Sequence, residues 1–119
     1  MANGTRNVRI HLSQQCFGML VDGMAAHSKR TGRFETLRMT VQAACESLKS
    51  REIAKEELEQ FLAEYAIDGD IAVWLEVTPK WSDAYGSLRQ KVKQLHDRHG
   101  LDKIVIPFAV YLAEARNPL

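Results

Sequence analysis

Three groups of side chains could do chemistry here. Asn7, Arg9 and His11 stand at alternate positions near the start of the chain. Lys29, Arg30 and Arg33 crowd a short turn around Gly32. His96 and His99, with Asp97 between them, make an HxxH spacing. Two histidines on a polar helix face, with no cysteine nearby, are a solvated face more often than a metal site, so no metal is expected. Cys16 and Cys45 are too few for a disulfide framework. Cys45 falls in an apolar helical stripe, and both thiols read as small core residues. There is no glycine-rich phosphate loop, GxSxG or HExxH. The expectation is a protein with no catalytic residues and no cofactor, and not an enzyme.

The polar trio belongs to a strand. Val8, Ile10 and Leu12 alternate with Asn7, Arg9 and His11, which puts three aliphatic side chains on one face and three polar ones on the other. It is the one clear alternating strand, and a lone strand leaves its backbone groups unpaired. A partner strand from a second copy of the chain is the simplest remedy. Ser13 is a good N-cap. Phe17, Leu20, Val21 and Met24 then follow a helical spacing, predicting a helix over about Gln14 to Ser28. Gly18 and Gly23 inside it suggest close helix packing, and Gly32 suits a left-handed C-terminal position. A second helix over about Glu35 to Ser50 carries Leu37, Val41, Ala44, Cys45 and Leu48 on one face.

Helix continues over 51–66, with Ile53, Leu58, Phe61, Leu62 and Tyr65 on one side. Asp68-Gly69-Asp70 is a break. Ile71 to Val77 reads as helix or strand and ends at Thr78-Pro79. Trp81, Ser82 and Asp83 resemble a staple residue and cap. Leu88, Val92 and Leu95 make a further helical stripe ending at Gly100. Asp102 to Arg116 reads as a short helix with Pro107 near its first turn. No internal repeat is apparent. Trp74, Trp81, Tyr85, Phe108 and Tyr111 read as core rather than as a base-stacking platform.

With 119 residues, 45% apolar and 26% charged, the chain has the composition of one globular domain or of a small domain with an extension. No apolar run approaches the roughly 20 residues of a spanning helix, and no apolar leader follows Met1. A soluble, cytoplasmic protein is expected. The net charge of +1 hides an asymmetry. Residues 1–51 hold eight basic and three acidic side chains, a net +5, whereas 52–119 carry a net −4. A basic end of this kind hints at nucleic acid.

The order alternating strand, helix, basic glycine turn, helix resembles the ribbon-helix-helix family of DNA-binding proteins. The resemblance rests on Thr5 to Ser13, the first helix, Arg30-Thr31-Gly32-Arg33-Phe34-Glu35-Thr36 and the second helix. It covers less than half of the chain. It implies a mainly α fold in which the N-terminal strand pairs across a homodimer, with further C-terminal helices added. Val8, Ile10 and Leu12 would form the dimer core. Asn7, Arg9 and His11 would read base edges in the major groove, Arg9 suiting guanine and Asn7 adenine. Arg6, Lys29, Arg30, Arg33 and Thr36 would meet DNA phosphates near the start of the second helix. Phe34 and Glu35 depart from the small hydroxyl residues usual there, and Glu35 would repel a phosphate.

Two regions follow from this: 5–51 as the DNA-binding and dimerising part, and 52–119 as a helical extension. The expected function is a sequence-specific transcriptional regulator acting as a homodimer on double-stranded DNA, with higher oligomers on repeated sites. Its extension would brace the dimer or contact a protein partner, and no membrane is involved. The loose likeness to regulators of conjugative plasmids points to transfer genes of mobile elements. The rivals are an accessory DNA-binding factor of conjugation or partition, and an antitoxin-like helical adaptor whose partner is a protein.

Overall fold

The computed structural model describes residues 4–96 and 100–115. Strand β1 (Arg6–Leu12) leads into helices α1 (Gln14–Thr31), α2 (Leu37–Leu48) and α3 (Lys55–Glu64). Strand β2 (Ile71–Val77) follows, then α4 (Ser82–Leu95), α5 (Leu101–Val110) and a wider π-helical turn over Tyr111–Ala115. The fold is mainly helical with one two-stranded antiparallel sheet.

β1 does not need a second chain. It pairs along its whole length with β2, from Arg6 opposite Val77 to Leu12 opposite Ile71. Ile71–Val77, open to either reading in sequence, is therefore a strand. Its alternation is real: Val73, Leu75 and Val77 are buried, while Ala72, Trp74 and Glu76 are exposed. The expectation of a partner strand from another copy rested on β1 having no mate within the chain, and β2 supplies one. Val8, Ile10 and Leu12 are buried as expected, but in a core that this chain builds alone.

The order strand, helix, helix occurs twice, as β1-α1-α2 and as β2-α4-α5. The ladder is centred on Arg9 opposite Trp74. Packing between the halves is reciprocal. α5 packs on β1 and α2 packs on β2; α1 meets α5, and α4 meets α2; α2 and α5 touch each other. No sequence repeat announces this, because the two halves share a pattern of burial rather than residues. A boundary at 51/52 therefore runs through one continuous core, to which both regions contribute.

Local chemistry explains the element ends. Ser13 caps α1 by accepting from Cys16 N–H, and α1 ends on Gly32 at φ 76°, in the left-handed region that favours glycine. The helix runs three residues beyond Ser28. Thr36 caps α2, which starts at Leu37 rather than Glu35 and ends at Leu48. Lys91 of α4 donates to the carbonyls of Leu48, Lys49 and Arg51, satisfying acceptors that the end of α2 leaves open. The helix expected over 51–66 is confined to α3. Its exit is clamped to the start of α1: Ser13 N–H donates to Ile67 O at 2.8 Å, and Gln15 bonds the backbone of both Glu64 and Ala66. Gly69 passes so close to the backbone of Leu12 and Ser13 that a Cβ would not fit.

Other expectations shift. The buried stripe of α1 is Cys16, Met19, Leu20, Gly23 and His27, so Phe17 and Val21 lie outside it at 40% and 46% exposed. Gly23 is a close contact, because a Cβ there would run into Val110; Gly18 faces open space. Pro107 is the seventh residue of α5, well past its first turn. The end of the helix expected to reach Arg116 lies outside the described residues, as do Asp97 and His99 of the HxxH spacing. Among the described residues, no cluster of histidine, cysteine or carboxylate side chains could hold a metal ion, and no helix is long and apolar enough to cross a membrane.

Candidate nucleic-acid interface

Every other residue of a strand points away from the core, so the outer face of the ribbon follows from the register. β1 exposes Asn7, Arg9 and His11; β2 exposes Ala72, Trp74 and Glu76. Across the ladder Asn7 lies opposite Glu76, Arg9 opposite Trp74 and His11 opposite Ala72. The three residues expected to share a face do share it. They are joined by three from β2 that sequence reasoning left out.

Trp74, expected in the core, is instead on the outer face and is the main correction. It is 70% exposed at the centre of the face, and the Arg9 guanidinium carbon lies 5.2 Å from its ring centroid. This is a cation–π geometry that holds the guanidinium over the ring. The other four aromatics of that reading, Trp81, Tyr85, Phe108 and Tyr111, are buried as expected. Strict alternation of Val73, Leu75 and Val77 was the available signal. It was hidden because Ala72 and Trp74, on the opposite face, are also apolar.

The cations expected at phosphates are placed unevenly. Arg6 shares the inner face with Val8 and Ile10, reaches Asp102 at 3.4 Å and lies over the Tyr85 ring. Arg30 turns along α1 to Glu114, bonding both carboxylate oxygens, and touches His27 Nδ1 at 3.1 Å. Both arginines are paired within the chain, although each side chain stays more than half exposed. Lys29 is exposed in the last turn of α1. Thr36 spends its hydroxyl on the cap, accepting from Met39 N–H. Arg33 bonds Glu35 at 2.9 Å while its side chain stays 71% exposed.

Glu35 is not where a phosphate would meet it. Its side chain is buried, and its ring neighbour is His27, 3.8 Å away. Hydrogen bonding from Thr31, then from Arg33, holds its carboxyl below the usual glutamate range. Phe34 instead stands out at 99% exposed. Burial pushes the Cys16 thiol up and the Cys45 thiol up to about 12, which leaves both as inert packing groups at neutral pH.

Two clefts carry charged linings. One, of about 340 Å³, lies between α2 and the turn after β2; its charged lining is Arg33, Arg38 and Lys80 with Glu35 and Glu46. The other, of about 310 Å³, lies between β1 and the start of α5, where Arg9 and Lys103 face Asp68 and Asp102. The helix starts differ accordingly. The first turn of α2 has no acidic residue. The first turn of α5 contains Asp102, which accepts from Tyr85, Arg6 and Arg89. A carboxylate there already satisfies the positive end of the helix dipole. Burial, then the bond to Asp102, pushes the Tyr85 hydroxyl far above its usual range.

No family model matches the sequence, and no similar curated protein or solved structure is found.

Proposed function

We propose that this protein is a sequence-specific transcriptional regulator that lays its two-stranded ribbon in the major groove of double-stranded DNA. The observation that carries the reading is the ribbon itself. Two short antiparallel strands bury one face on helices and expose Asn7, Arg9, His11, Trp74 and Glu76 on the other. A ribbon of this width fits the major groove, where all four base pairs differ in their donors and acceptors. Strand, helix, helix, taken twice around a shared ladder, is the arrangement that a ribbon-helix-helix dimer would have, here supplied by one chain.

Arg9 is suited to guanine O6 and N7, and Asn7 to adenine. Arg33, Arg38 and Lys80 are the cations available to phosphate on the α2 side. These contacts would set orientation and salt dependence, not sequence. Random-site selection with wild type and Arg9→Ala tests the reading. A defined duplex is expected, with discrimination at one base pair weakened by about 1–3 kcal/mol in the variant. Equal binding to every duplex, indifferent to Arg9, would sink it.

One observation favours a second reading. Phe17 and Val21 stand one turn apart on the outside of α1, both exposed. A helical adaptor would use such a pair to hold a protein partner. Under that reading Phe17→Ala weakens the partner complex and leaves duplex binding alone.

A further inference from the structure

We infer that one chain reads one non-palindromic DNA site, with Trp74 and Glu76 as specificity-determining residues beside Asn7, Arg9 and His11. The inference rests on the duplex-binding reading above and extends it to the class of site. Operator symmetry mirrors protein symmetry. Two identical strands paired about a two-fold axis would present each side chain twice and would call for a palindrome.

Here the axis through the Arg9–Trp74 pair relates unlike residues. It exchanges Asn7 with Ala72, Arg9 with Trp74 and His11 with Glu76. No position is repeated. One end of the face carries Asn7 and Glu76, an amide with a carboxylate. The amide suits adenine N6 and N7, and the carboxylate can only accept, which suits the cytosine N4 amino group. The other end carries His11 and Ala72, whose methyl suits contact with a thymine methyl. At the centre, the guanidinium of Arg9 is held over the Trp74 ring. A planar donor fork fixed in this way is prepared for guanine before DNA arrives.

The two charged clefts carry the same asymmetry. Beside α2, Arg33 and Glu35 are paired with each other, which leaves Arg38 and Lys80 against the single carboxylate of Glu46. Beside α5, Asp68 and Asp102 match Arg9 and Lys103. A phosphate is better received on the α2 side than on the α5 side, which gives the protein one orientation on its site. β1 and β2 also pair with each other along their whole length, so the ribbon is complete within one chain.

The test is random-site selection on the full-length protein, with native mass spectrometry of the selected duplex. Wild type, Glu76→Ala, Glu76→Gln and Trp74→Ala are compared. Both residues are exposed, so an unchanged circular dichroism spectrum shows that each variant folds. The expected consensus is non-palindromic and binds one chain per duplex. Glu76→Ala should relax a single base position at one end, by roughly 5- to 150-fold in discrimination, and leave the other end unchanged. Trp74→Ala should relax the position read by Arg9. A palindromic consensus holding two chains overturns this inference and leaves DNA binding standing. A motif unmoved by all three variants also overturns it. Failure to select any duplex overturns both this inference and the function it rests on.

Discussion

The two strand-helix-helix units are equivalent in topology and opposite in surroundings. In α2, the buried positions are Thr40, Val41, Ala44, Cys45 and Leu48, so one face meets the core and the other meets solvent. In α5, every residue from Ile104 to Val110 is buried. A helix apolar all round belongs in the centre of a molecule, and an amphipathic one at its edge. β1 shows solvent an amide, a guanidinium and an imidazole, whereas β2 shows a methyl, an indole and a carboxylate. The lesson is a division of labour. The first unit carries most of the polar groups exposed on the ribbon, and the second carries the helix that is buried on every side.

Removing the second unit breaks this comparison most severely. A chain of residues 1–51 keeps β1, α1 and α2 but loses the ladder partner of β1, and with it α5, which α1 and α2 both touch. The expected outcome is a fragment without cooperative unfolding, read by circular dichroism during a thermal scan at micromolar concentration. A folded dimer from that fragment would show instead that the first unit can pair with itself, and β2 would then be a substitute for a second copy rather than a necessity.

Much of the first unit was legible in sequence. Val8, Ile10 and Leu12 alternate cleanly with polar residues, Ser13 and Gly32 are strong end signals, and the second helical stripe ends in Leu48. Those are local rules, and local rules held. β2 was illegible for a physical reason: with Trp74 and Ala72 turned outward, Ile71 to Leu75 reads as one apolar run, which a buried helix would also give. The rotation of α1 was hidden as well. Phe17 and Val21 fit the period of the stripe as well as Cys16 and His27 do, and only the position of α5 decides between them. Arg6 is an exposed cation, but nothing local foretells its pairing with Asp102, 96 residues away. What was lost in each case was tertiary choice among locally equal options.

Glycines offer a finer probe of the same comparison. Gly23 lies where α1 meets α5, and an added Cβ would run into the stiff, β-branched Val110. Gly23→Ala should destabilise the protein by about 1–3 kcal/mol, measured by urea unfolding. Gly18 and Gly86 are each the fifth residue of their helices, α1 and α4, and each faces open space. Gly18→Ala and Gly86→Ala should both stabilise, by about 0.5–1 kcal/mol, because alanine restricts the unfolded chain and favours helix. Equal gains at the two sites would sharpen the correspondence between the units. A loss at either would show that the helix concerned is packed more tightly than its partner.

The smallest expected effect is a pH effect confined to the first unit. Glu35 is held below the usual carboxylate range, first by Thr31 and then by Arg33, with His27 alongside. A carboxyl whose folded pKa is depressed adds stability above its unfolded pKa, about 4.3, and loses it as pH falls through the folded value. Wild type should therefore exceed Glu35→Gln in urea midpoint at pH 6, and the two should converge as the solution is taken below about pH 4. The second unit offers no matching change at this place, since its helix starts on Gly100 and Leu101 with Asp102 tied to three donors. A difference between wild type and variant that stayed constant into acid would mean that Glu35 acts by shape and packing alone. The bonds to Thr31 and Arg33 would then add nothing to the stability of the α1–α2 turn.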